Sequence, residues 1–358
     1  MATHKTEIAI AGAGIVGLAM AYTAARQGLK VTVFERSSRA VGASIRNFGM
    51  IWPIGQTAGK MYARAIKSRA TYLELAPKAG FWLAENGSLH LAHHADEMAV
   101  LEEFVATAPE NEYKTTLLTG KHKIVNKSAA VKTENLLGAL WSETELNVDS
   151  REVIAKLPAF LEKEYGVEFH FDTGITDVSM PYFKAGDQTW TAEKLFICSG
   201  ADFETLYPQV FTQAPITKCK LQMMRTVPQV DNWRIGASLC GGLTLLHYSS
   251  FKHCQSLQAL NQRIEQTMPD YKKFGIHVLV SQNGLGEVIL GDSHEYGQTP
   301  DPFDKDEIDQ LVLKYLDTFA YFPQPHIAAR WHGIYPKLTD GSTDFVHEPE
   351  KDVLIING

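Results

Sequence analysis

The chain has 358 residues, more than one compact core usually holds, so we expect two domains or lobes. Its 45% hydrophobic and 21% charged residues are typical of a soluble globular protein. The formal net charge of −7 disfavours a general nucleic-acid or membrane-surface binder, although a local basic pocket for an anionic substrate remains compatible with it.

The first 36 residues have the pattern of one complete β-α-β nucleotide-binding unit. A short apolar strand at 8–10 precedes the glycine-rich run 12–17, and an Ala- and Leu-rich helix follows at 18–27. A second strand at 31–34 ends on Glu35. The order strand, glycines, helix, strand and acid is much more specific than the glycines alone.

Each position in this unit has a physical role. Gly12 permits the tight turn, Gly14 lets the backbone approach a pyrophosphate, and Gly17 lets the helix pack close to the sheet. The free N–H groups at the helix N-terminus attract phosphate. Glu35 is placed to accept ribose hydroxyls and to repel the 2′-phosphate of NADP, so FAD and NAD remain as ligands.

Residues 8–25 are nearly all apolar or small, a length that approaches a membrane span. Glu7 and Arg26 bound this run, and the nucleotide-binding pattern explains its glycines, whereas a signal peptide does not. We therefore predict a cytoplasmic protein without a membrane span. None of the four cysteines has C-x-x-C spacing, and no zinc-type spacing occurs, so we predict reduced thiols and no metal.

The rest of the chain alternates between helical and extended patterns. We predict helices at 57–75, 96–107, 153–165 and 304–321, and a loop at 121–135. We predict strands at 81–82 and 87–91 (joined by a turn at 85–87), 167–171, 174–178, 194–201, 221–226, 243–248, 277–281, 288–290 and 353–356. The block of strands after residue 216 is typical of an antiparallel sheet.

These elements predict an α/β fold, with a Rossmann-like domain built from separated segments and an inserted antiparallel-sheet substrate domain. We place the nucleotide-binding domain at residues 1–75, 145–205 and 330–358. The substrate-binding lobe then comprises residues 76–144 and 206–329.

Nearly the whole chain resembles the flavoprotein family of D-amino acid oxidase, glycine oxidase and sarcosine oxidase. The resemblance rests on the glycine unit ending at Glu35, A-S-I-R-N-F-G at 43–49, V-D-S-R at 148–151, F-I-C-S-G-A-D at 196–202 and Y-P-K-L-T-D-G at 335–341. The amino-acid sequences of segments 42–53 and 244–251 are most similar to a subgroup associated with phosphonate degradation.

The resemblance implies an FAD-dependent enzyme that oxidises a C–N bond by hydride transfer to flavin N5. It assigns cofactor binding to residues of the glycine unit, to Glu35 and the segment after it, and to five later positions. These residues are Gly12, Ala13, Gly14, Ile15, Val16, Gly17, Glu35, Arg36, Ser44, Ile45, Arg46, Asn47, Phe48, Gly49, Val178, Gly200, Gly333, Tyr335 and Lys337.

Three features depart from the family pattern. The given sequence stops at 357–358, where the family continues with a glycine-rich loop and helix, so we expect either a truncated sequence or an unusual edge of the flavin site. No cysteine follows Cys254, so the FAD is expected to be non-covalent. The strand at 288–290 lacks the lysine that serves oxygen activation in one branch, which leaves oxygen or another electron acceptor open.

An anionic substrate group requires donors, and arginine matches carboxylate or phosphonate best. The candidate donors are Arg46, Arg225, Arg330, His247, Tyr248, His294 and His332. We predict Arg225, on a strand of the inserted lobe, as the clamp. His247 and Tyr248 are expected to alternate on one strand, so that only one of them faces the pocket. Lys337 is predicted to stabilise negative charge on the reduced flavin.

The sequence therefore predicts FAD-dependent oxidation of a small anionic amine or amino acid, whose imine product hydrolyses to an aldehyde or keto acid. An aminoalkylphosphonate or its N-methyl form is the finer prediction. An NAD-dependent dehydrogenase and a non-catalytic flavin-binding protein remain as alternatives.

Overall fold

A computed structural model describes residues 4–357, which form 22 strands and ten α-helices. In chain order the strands are β1 (His4–Lys5), β2 (Ile8–Ala11), β3 (Val31–Phe34), β4 (Met50–Ile51), β5 (Leu83–Ala84), β6 (Ser88–Ala92), β7 (Thr115–Leu118), β8 (Gly138–Ser142), β9 (Leu146–Val148), β10 (Glu168–His170), β11 (Ile175–Ser179), β12 (Tyr182–Ala185), β13 (Gln188–Thr191), β14 (Lys194–Ile197), β15 (Ile216–Pro228), β16 (Ser238–Cys240), β17 (Leu279–Gln282), β18 (Glu287–Gly291), β19 (Glu295–Gly297), β20 (Ile327–Leu338), β21 (Phe345–His347) and β22 (Val353–Asn357).

The helices are α1 (Ile15–Ala25), α2 (Lys60–Ala79), α3 (Ala95–Thr107), α4 (Lys121–Val125), α5 (Ser150–Tyr165), α6 (Pro208–Gln213), α7 (Leu243–His247), α8 (Leu257–Thr267), α9 (Pro269–Lys273) and α10 (Asp306–Leu316). Short 3-10 turns occupy Ala43–Ile45, Pro53–Gly55 and Ser249–Phe251. Among residues 4–357, no helix combines the length and the apolar character needed to cross a membrane.

One sheet has the strand order β10-β3-β2-β14-β22-β21, in which all pairs except β21–β22 are parallel. Its central strands are apolar along their whole length because both faces are covered. Ile8 and Ile10 pack toward α1 and α5, whereas Ala9 and Ala11 face the small sheet β1-β13-β12-β11. The expected α/β fold with a parallel sheet is confirmed.

The second large sheet has nine strands, in the order β19-β15-β18-β17-β16-β6-β8-β7, with β20 paired along the other side of β15. Its strands alternate between two faces. Met224, Val280 and Leu290 pack in a core that also holds residues of α3, α8 and α10. The alternate residues, among them Met223 and Leu279, face a smaller cluster that contains Phe48. We call this side of the nine-stranded sheet the Phe48 face.

Three local predictions are wrong. Residues 243–247 form helix α7 and not a strand, because a short apolar run has no periodicity that separates the two structures. β5 and β6 do not form a hairpin, since β5 pairs with β9 and β6 pairs with β8 and β16. The predicted loop at 121–135 begins with helix α4. The domain boundaries stay a prediction.

Candidate active site

The glycine turn between β2 and α1 has the shape expected for binding a pyrophosphate. Gly12 has φ +104°, and a Cβ on this residue would lie 2.5 Å from the carbonyl oxygen of Cys198. A Cβ on Gly17 would lie 1.9 Å from the carbonyl oxygen of Gly12. Gly14 is the N-cap of α1 in an extended conformation. The predicted roles of Gly12 and Gly17 therefore match close approaches of backbone, whereas the approach of a pyrophosphate to Gly14 stays a prediction.

Two side chains brace this turn. The Glu35 carboxylate accepts hydrogen bonds from the backbone N–H groups of Ala13 at 3.0 Å and Ser37 at 3.1 Å. The Ser44 hydroxyl accepts from the N–H of Ile15 at 2.9 Å, in the first turn of α1. Glycine unit, acid and Ser44 thus lie together although they come from three parts of the sequence.

A cavity of about 470 Å³ begins beside the α1 N-terminus. Four predicted cofactor residues line it, namely Ile15, Ser44, Asn47 and Gly49. Gly49 has φ +70°, and a Cβ there would lie 2.0 Å from the Val148 carbonyl oxygen, so this position requires glycine. The open volume, the half-buried helix N-terminus that borders it and the position that excludes a side chain fit the phosphates and ribityl chain of FAD.

The segment 44–49 also contacts β20. The Arg46 guanidinium donates to the His332 carbonyl at 3.2 Å, and the Trp331 indole N–H donates to the Arg46 carbonyl at 3.3 Å. A Cβ on Gly333 would lie 3.2 Å from that same Arg46 carbonyl oxygen. The structure therefore brings the predicted cofactor residues of 44–49 and of β20 side by side.

The remaining predicted cofactor residues surround this region. Arg36 pairs with Asp202 at 2.5 Å, and Asn357 donates to the Gly200 carbonyl at 3.0 Å. Val178 lies on β11, an edge strand of the small sheet within the described residues, so one side of its backbone is available to an adenine. Their contacts with FAD stay predictions.

The Phe48 face carries a polar cluster at the end of the nine-stranded sheet that adjoins Tyr335 and Lys337. Three imidazoles, from His247, His277 and His294, place ring nitrogens within 4.8 Å of one another. The His247 and His277 rings stack with centroids 3.6 Å apart, and those of His277 and His294 lie 4.9 Å apart. We call these three residues the histidine cluster.

Asp292 is buried beside the histidine cluster. Its carboxylate oxygens lie 3.3 Å from His277 Nε2 and 3.9 Å from His294 Nε2. Neither ring nitrogen of His277 has a hydrogen-bond partner within the described residues, so the 3.3 Å contact is not a well-aligned bond. Burial raises the pKa of Asp292 well above its ordinary value, which favours the neutral, proton-bearing acid.

Two phenols and a cation complete this pocket. Tyr248 packs against Trp52 and His277, with ring centroids 6.1 and 5.7 Å apart. Tyr335 pairs in register with Cys219. Burial, and after it the neighbouring Cys219 thiol, raises the pKa of Tyr335, so its phenol is a neutral donor. The exposed Lys337 lies near enough to lower the pKa of His294.

The expectation that His247 and Tyr248 share a strand is wrong. His247 is the last residue of α7 and Tyr248 caps it, so both rings contact His277. A helix end turns consecutive side chains by about 100°, whereas a strand would point them to opposite faces.

Arg225 lies beside the histidine cluster's part of the sheet and not within the cluster. It pairs in register with Ile289, three residues before Asp292, which is about 10 Å along a strand. Its guanidinium lies 3.5 Å from Glu287, which Arg151 also binds at 2.8 Å. Its role as the clamp stays a prediction, and the Glu287 carboxylate competes with a substrate anion for its guanidinium.

Two other candidate donors also have partners away from the histidine cluster. Arg330 pairs with Asp309 at 2.8 Å, and His332 lies 2.8 Å from Asp304. The four cysteines are free and buried, as expected for core thiols.

Sequence reasoning missed His277 and Asp292 as functional residues. They lie in separate segments, and their proximity arises only when β17 pairs with β18 and His277 N–H faces the Asp292 carbonyl at 3.3 Å. One usable signal was the alternation His277, Leu279 and Ser281, since these residues must share one face of a strand.

Comparison with known proteins identifies a flavoprotein family that matches nearly the whole chain. The DAO family model, described as FAD dependent oxidoreductase, matches residues 7–358. A glycine oxidase from Geobacillus kaustophilus (strain HTA426) is 23% identical over 372 residues, covering 99% of this chain and 87% of that protein.

Solved structures share the fold. The crystal structure of glycine oxidase from Geobacillus kaustophilus has a TM-score of 0.76 at 20% identity, covering 99% of this chain and 90% of that one. The structure of L-proline dehydrogenase from P. horikoshii has a TM-score of 0.75 at 19% identity, and the match covers 99% of this chain and 88% of that one. The structure of iminodiacetate oxidase from Chelativorans sp. BNC1 has a TM-score of 0.72 at 16% identity, and the match covers 98% of this chain and 89% of that one.

Proposed function

Because the chain belongs to the family of FAD-dependent oxidoreductases, we propose that it uses non-covalent FAD to oxidise the C–N bond of a small amine that bears an anionic group. The NAD-dependent alternative is set aside by the same family membership. Similar proteins named as oxidases of glycine and iminodiacetate favour an amine with an anionic group. The observation that carries the proposal is the cluster of buried polar side chains on the Phe48 face.

The pocket lies against the predicted flavin segment. The Ser281 hydroxyl donates to the Phe48 carbonyl at 2.7 Å, and Phe48 packs in one cluster with Leu279 and Tyr248. The sheet face that carries the histidine cluster is therefore the face that covers residues 44–49. When bound, FAD supplies the hydride acceptor, and the chain supplies position, proton control and exclusion of water.

An amine releases hydride readily only when it is neutral. Burial disfavours an ammonium ion, so a substrate that enters this pocket is expected to lose its proton. Tyr248 and Tyr335 offer phenol groups that can orient the neutral amine, and Asp292 lies beside them. We assign no residue as an obligatory general base.

At a finer level, we propose an aminoalkylphosphonate or its N-methyl form as the substrate. The support is the resemblance of segments 42–53 and 244–251 to the phosphonate-associated subgroup, together with the several N–H donors of the histidine cluster. Oxygen and other electron acceptors both remain compatible with the proposal.

The test is the absorption spectrum of the purified full-length protein, followed anaerobically as amines are added. The panel comprises glycine, sarcosine, D-alanine, 2-aminoethylphosphonate and its N-methyl form. Bleaching of the flavin band by one amine supports the proposal, and bleaching by a phosphonate supports its finer form. A flavin band that no amine in a broad panel bleaches contradicts amine oxidation and favours a non-catalytic flavoprotein.

A further inference from the structure

The three imidazoles of the histidine cluster come from separate elements, and their ring nitrogens lie within 4.8 Å of one another. His247 ends α7, His277 precedes β17, and His294 precedes β19. His277 and His294 are 3% and 6% exposed, so their ring nitrogens need polar partners. Within the described residues neither nitrogen of His277 has one. These two buried ring nitrogens are therefore available to hydrogen-bond a bound ligand.

The tautomer of His294 is fixed by its surroundings. Its Nδ1 lies 2.9 Å from the carbonyl oxygen of Gly275, and a carbonyl only accepts, so Nδ1 carries the hydrogen and donates. In the neutral ring Nε2 is then a bare acceptor, directed toward Asp292 at 3.9 Å. His294 can donate to an anion from Nε2 only after that atom has gained a proton.

Without a ligand the cluster stays neutral. Burial lowers the pKa of His294 to about 4, and burial together with the neighbouring rings lowers the pKa of His277 well below its ordinary value. Rings stacked 3.6 Å apart cannot both be charged without strong repulsion. A negative charge placed among them would reverse the balance and favour protonation.

The groups around the cluster favour an anion over a divalent metal ion. Lys337 and Lys252 both lower the pKa of His247, after burial and His294, so the local potential is positive. The stacked His247 and His277 rings have centroids 3.6 Å apart and planes only 24° apart, so their in-plane lone pairs lie in two separate, nearly parallel planes and do not meet at a single metal ion. The other titratable groups that face the cluster are Asp292, Tyr248, Tyr296, Tyr335, Cys219 and Cys240.

The donor geometry favours a tetrahedral oxyanion over a carboxylate. Arginine binds a carboxylate through two parallel hydrogen bonds in one plane. Arg225 and Arg330 instead pair with Glu287 and Asp309. Once His294 Nε2 is protonated, the cluster instead offers one N–H from each of three rings, which matches the three oxygens of a phosphonate or phosphate. Lys337 at the rim adds a further, cationic donor.

We propose that the histidine cluster binds the anionic group of the substrate as a doubly charged tetrahedral oxyanion, a phosphonate or a phosphate, and that His294 Nε2 takes up one proton from solvent when this group enters. Only that N–H bond forms, and no other covalent bond changes. The inference rests on the proposed function in so far as the pocket is taken as the substrate site.

Binding is tested with anions that lack an amine and therefore cannot be oxidised. Ethylphosphonate, ethanesulfonate and propionate share a carbon chain but differ in charge and shape, and inorganic phosphate tests the free ion. Isothermal titration of the FAD-loaded, EDTA-treated protein near pH 8.5, where free ethylphosphonate is largely the dianion and brings no proton of its own, in two phosphate-free buffers of different ionisation enthalpy, gives the affinity and the protons taken up. Since no amine is involved, failure here is distinct from failure of amine oxidation.

We expect ethylphosphonate to bind at least about tenfold more tightly than propionate, with net proton uptake, because charge-assisted hydrogen bonds replace neutral ones. Ethanesulfonate, with a single charge, should bind more weakly. If inorganic phosphate binds as tightly as ethylphosphonate, the site accepts any such dianion. If phosphate binds more weakly, the site is selective for an organic phosphonate. Both results support the proposal.

The decisive variant is His294→Asn, whose amide retains a donor toward Gly275 and removes Nε2. We expect it to weaken ethylphosphonate binding at least about tenfold and to abolish proton uptake. His247→Asn, at a half-buried position, is the second variant should the first fail to load FAD. His93→Asn, at the half-buried start of α3, is the matched control and should bind ethylphosphonate unchanged.

Three results would overturn the proposal. One is the absence of ethylphosphonate binding to the FAD-loaded protein, and another is binding that neither cluster variant alters. The third is a stoichiometric metal ion, found by elemental analysis before EDTA treatment, that both cluster variants release.

Discussion

His90 offers a direct test of how burial controls charge in the nine-stranded sheet. It lies on β6 and is 1% exposed, with its ring between Trp52 and Phe251 at centroid distances of 5.8 and 5.2 Å. Within the described residues neither ring nitrogen has a hydrogen-bond partner, and burial lowers the pKa of His90 to about 3. The folded protein therefore holds this ring neutral in mild acid.

The expected size of the effect follows from linkage. The pKa of a histidine in an unfolded chain is ~6.5, so below that pH His90 binds a proton in the unfolded chain but not in the folded one. Stability contributed by the neutral ring is fully present above that pH and is lost as the pH falls toward the folded value. Between pH 7 and pH 5 the loss from His90 is about 2 kcal/mol, from ~1.5 pH units at ~1.4 kcal/mol each.

Other buried histidines act in the same direction, so the test compares variants. We expect the unfolding free energy of His90→Leu to fall about 2 kcal/mol less between pH 7 and pH 5 than that of the wild type. Urea unfolding followed by far-ultraviolet circular dichroism, with saturating FAD, measures both. His122→Gln, at an exposed position on α4, is the control and should keep the wild-type loss. Equal pH dependence in His90→Leu and wild type would refute the reasoning.

Three further predictions address the cofactor turn, a buried ion pair and the position of Arg225. Gly14→Val should lower FAD affinity at least about tenfold, because its Cβ would lie 3.2 Å from the Ser44 hydroxyl, whereas Gly42→Ala, with open space around it, should not; flavin titration distinguishes them. Lys220→Met should lower the unfolding free energy by about 1–3 kcal/mol, since this 1%-exposed lysine pairs with Asp304 at 2.9 Å and donates to the carbonyl oxygens of Asp301 and Phe303, which would lose their donor, and an unchanged urea midpoint would contradict this. Arg225→Met should change the KM for the amine substrate by less than about threefold while His247→Asn raises it about tenfold or more, and the opposite order in steady-state kinetics would support Arg225 as the clamp.

Local pattern predicted the nucleotide-binding unit well. The glycines at 12–17, the helix after them and the acid at Glu35 are each specified by short-range geometry, because a tight turn, a close backbone approach and a strand end recur at fixed spacing. Helices such as α3 and α5 were predicted with ends within three residues, since their apolar positions repeat at helical spacing.

The pocket required the tertiary structure. His247, His277 and His294 lie in separate segments of the chain, and strand pairing together with the packing of α7 brings their rings within stacking distance. The short run at 243–247 could be helix or strand by its own composition, and its packing in the core behind the nine-stranded sheet decided for the helix.

The sequence by itself determined the class of cofactor and the turn that receives it, because those depend on residues close together in the chain. The tertiary structure decided which polar side chains share the pocket. It separated Arg225 from the cluster and joined Asp292 to it, because sheet register fixes which distant residues face one another.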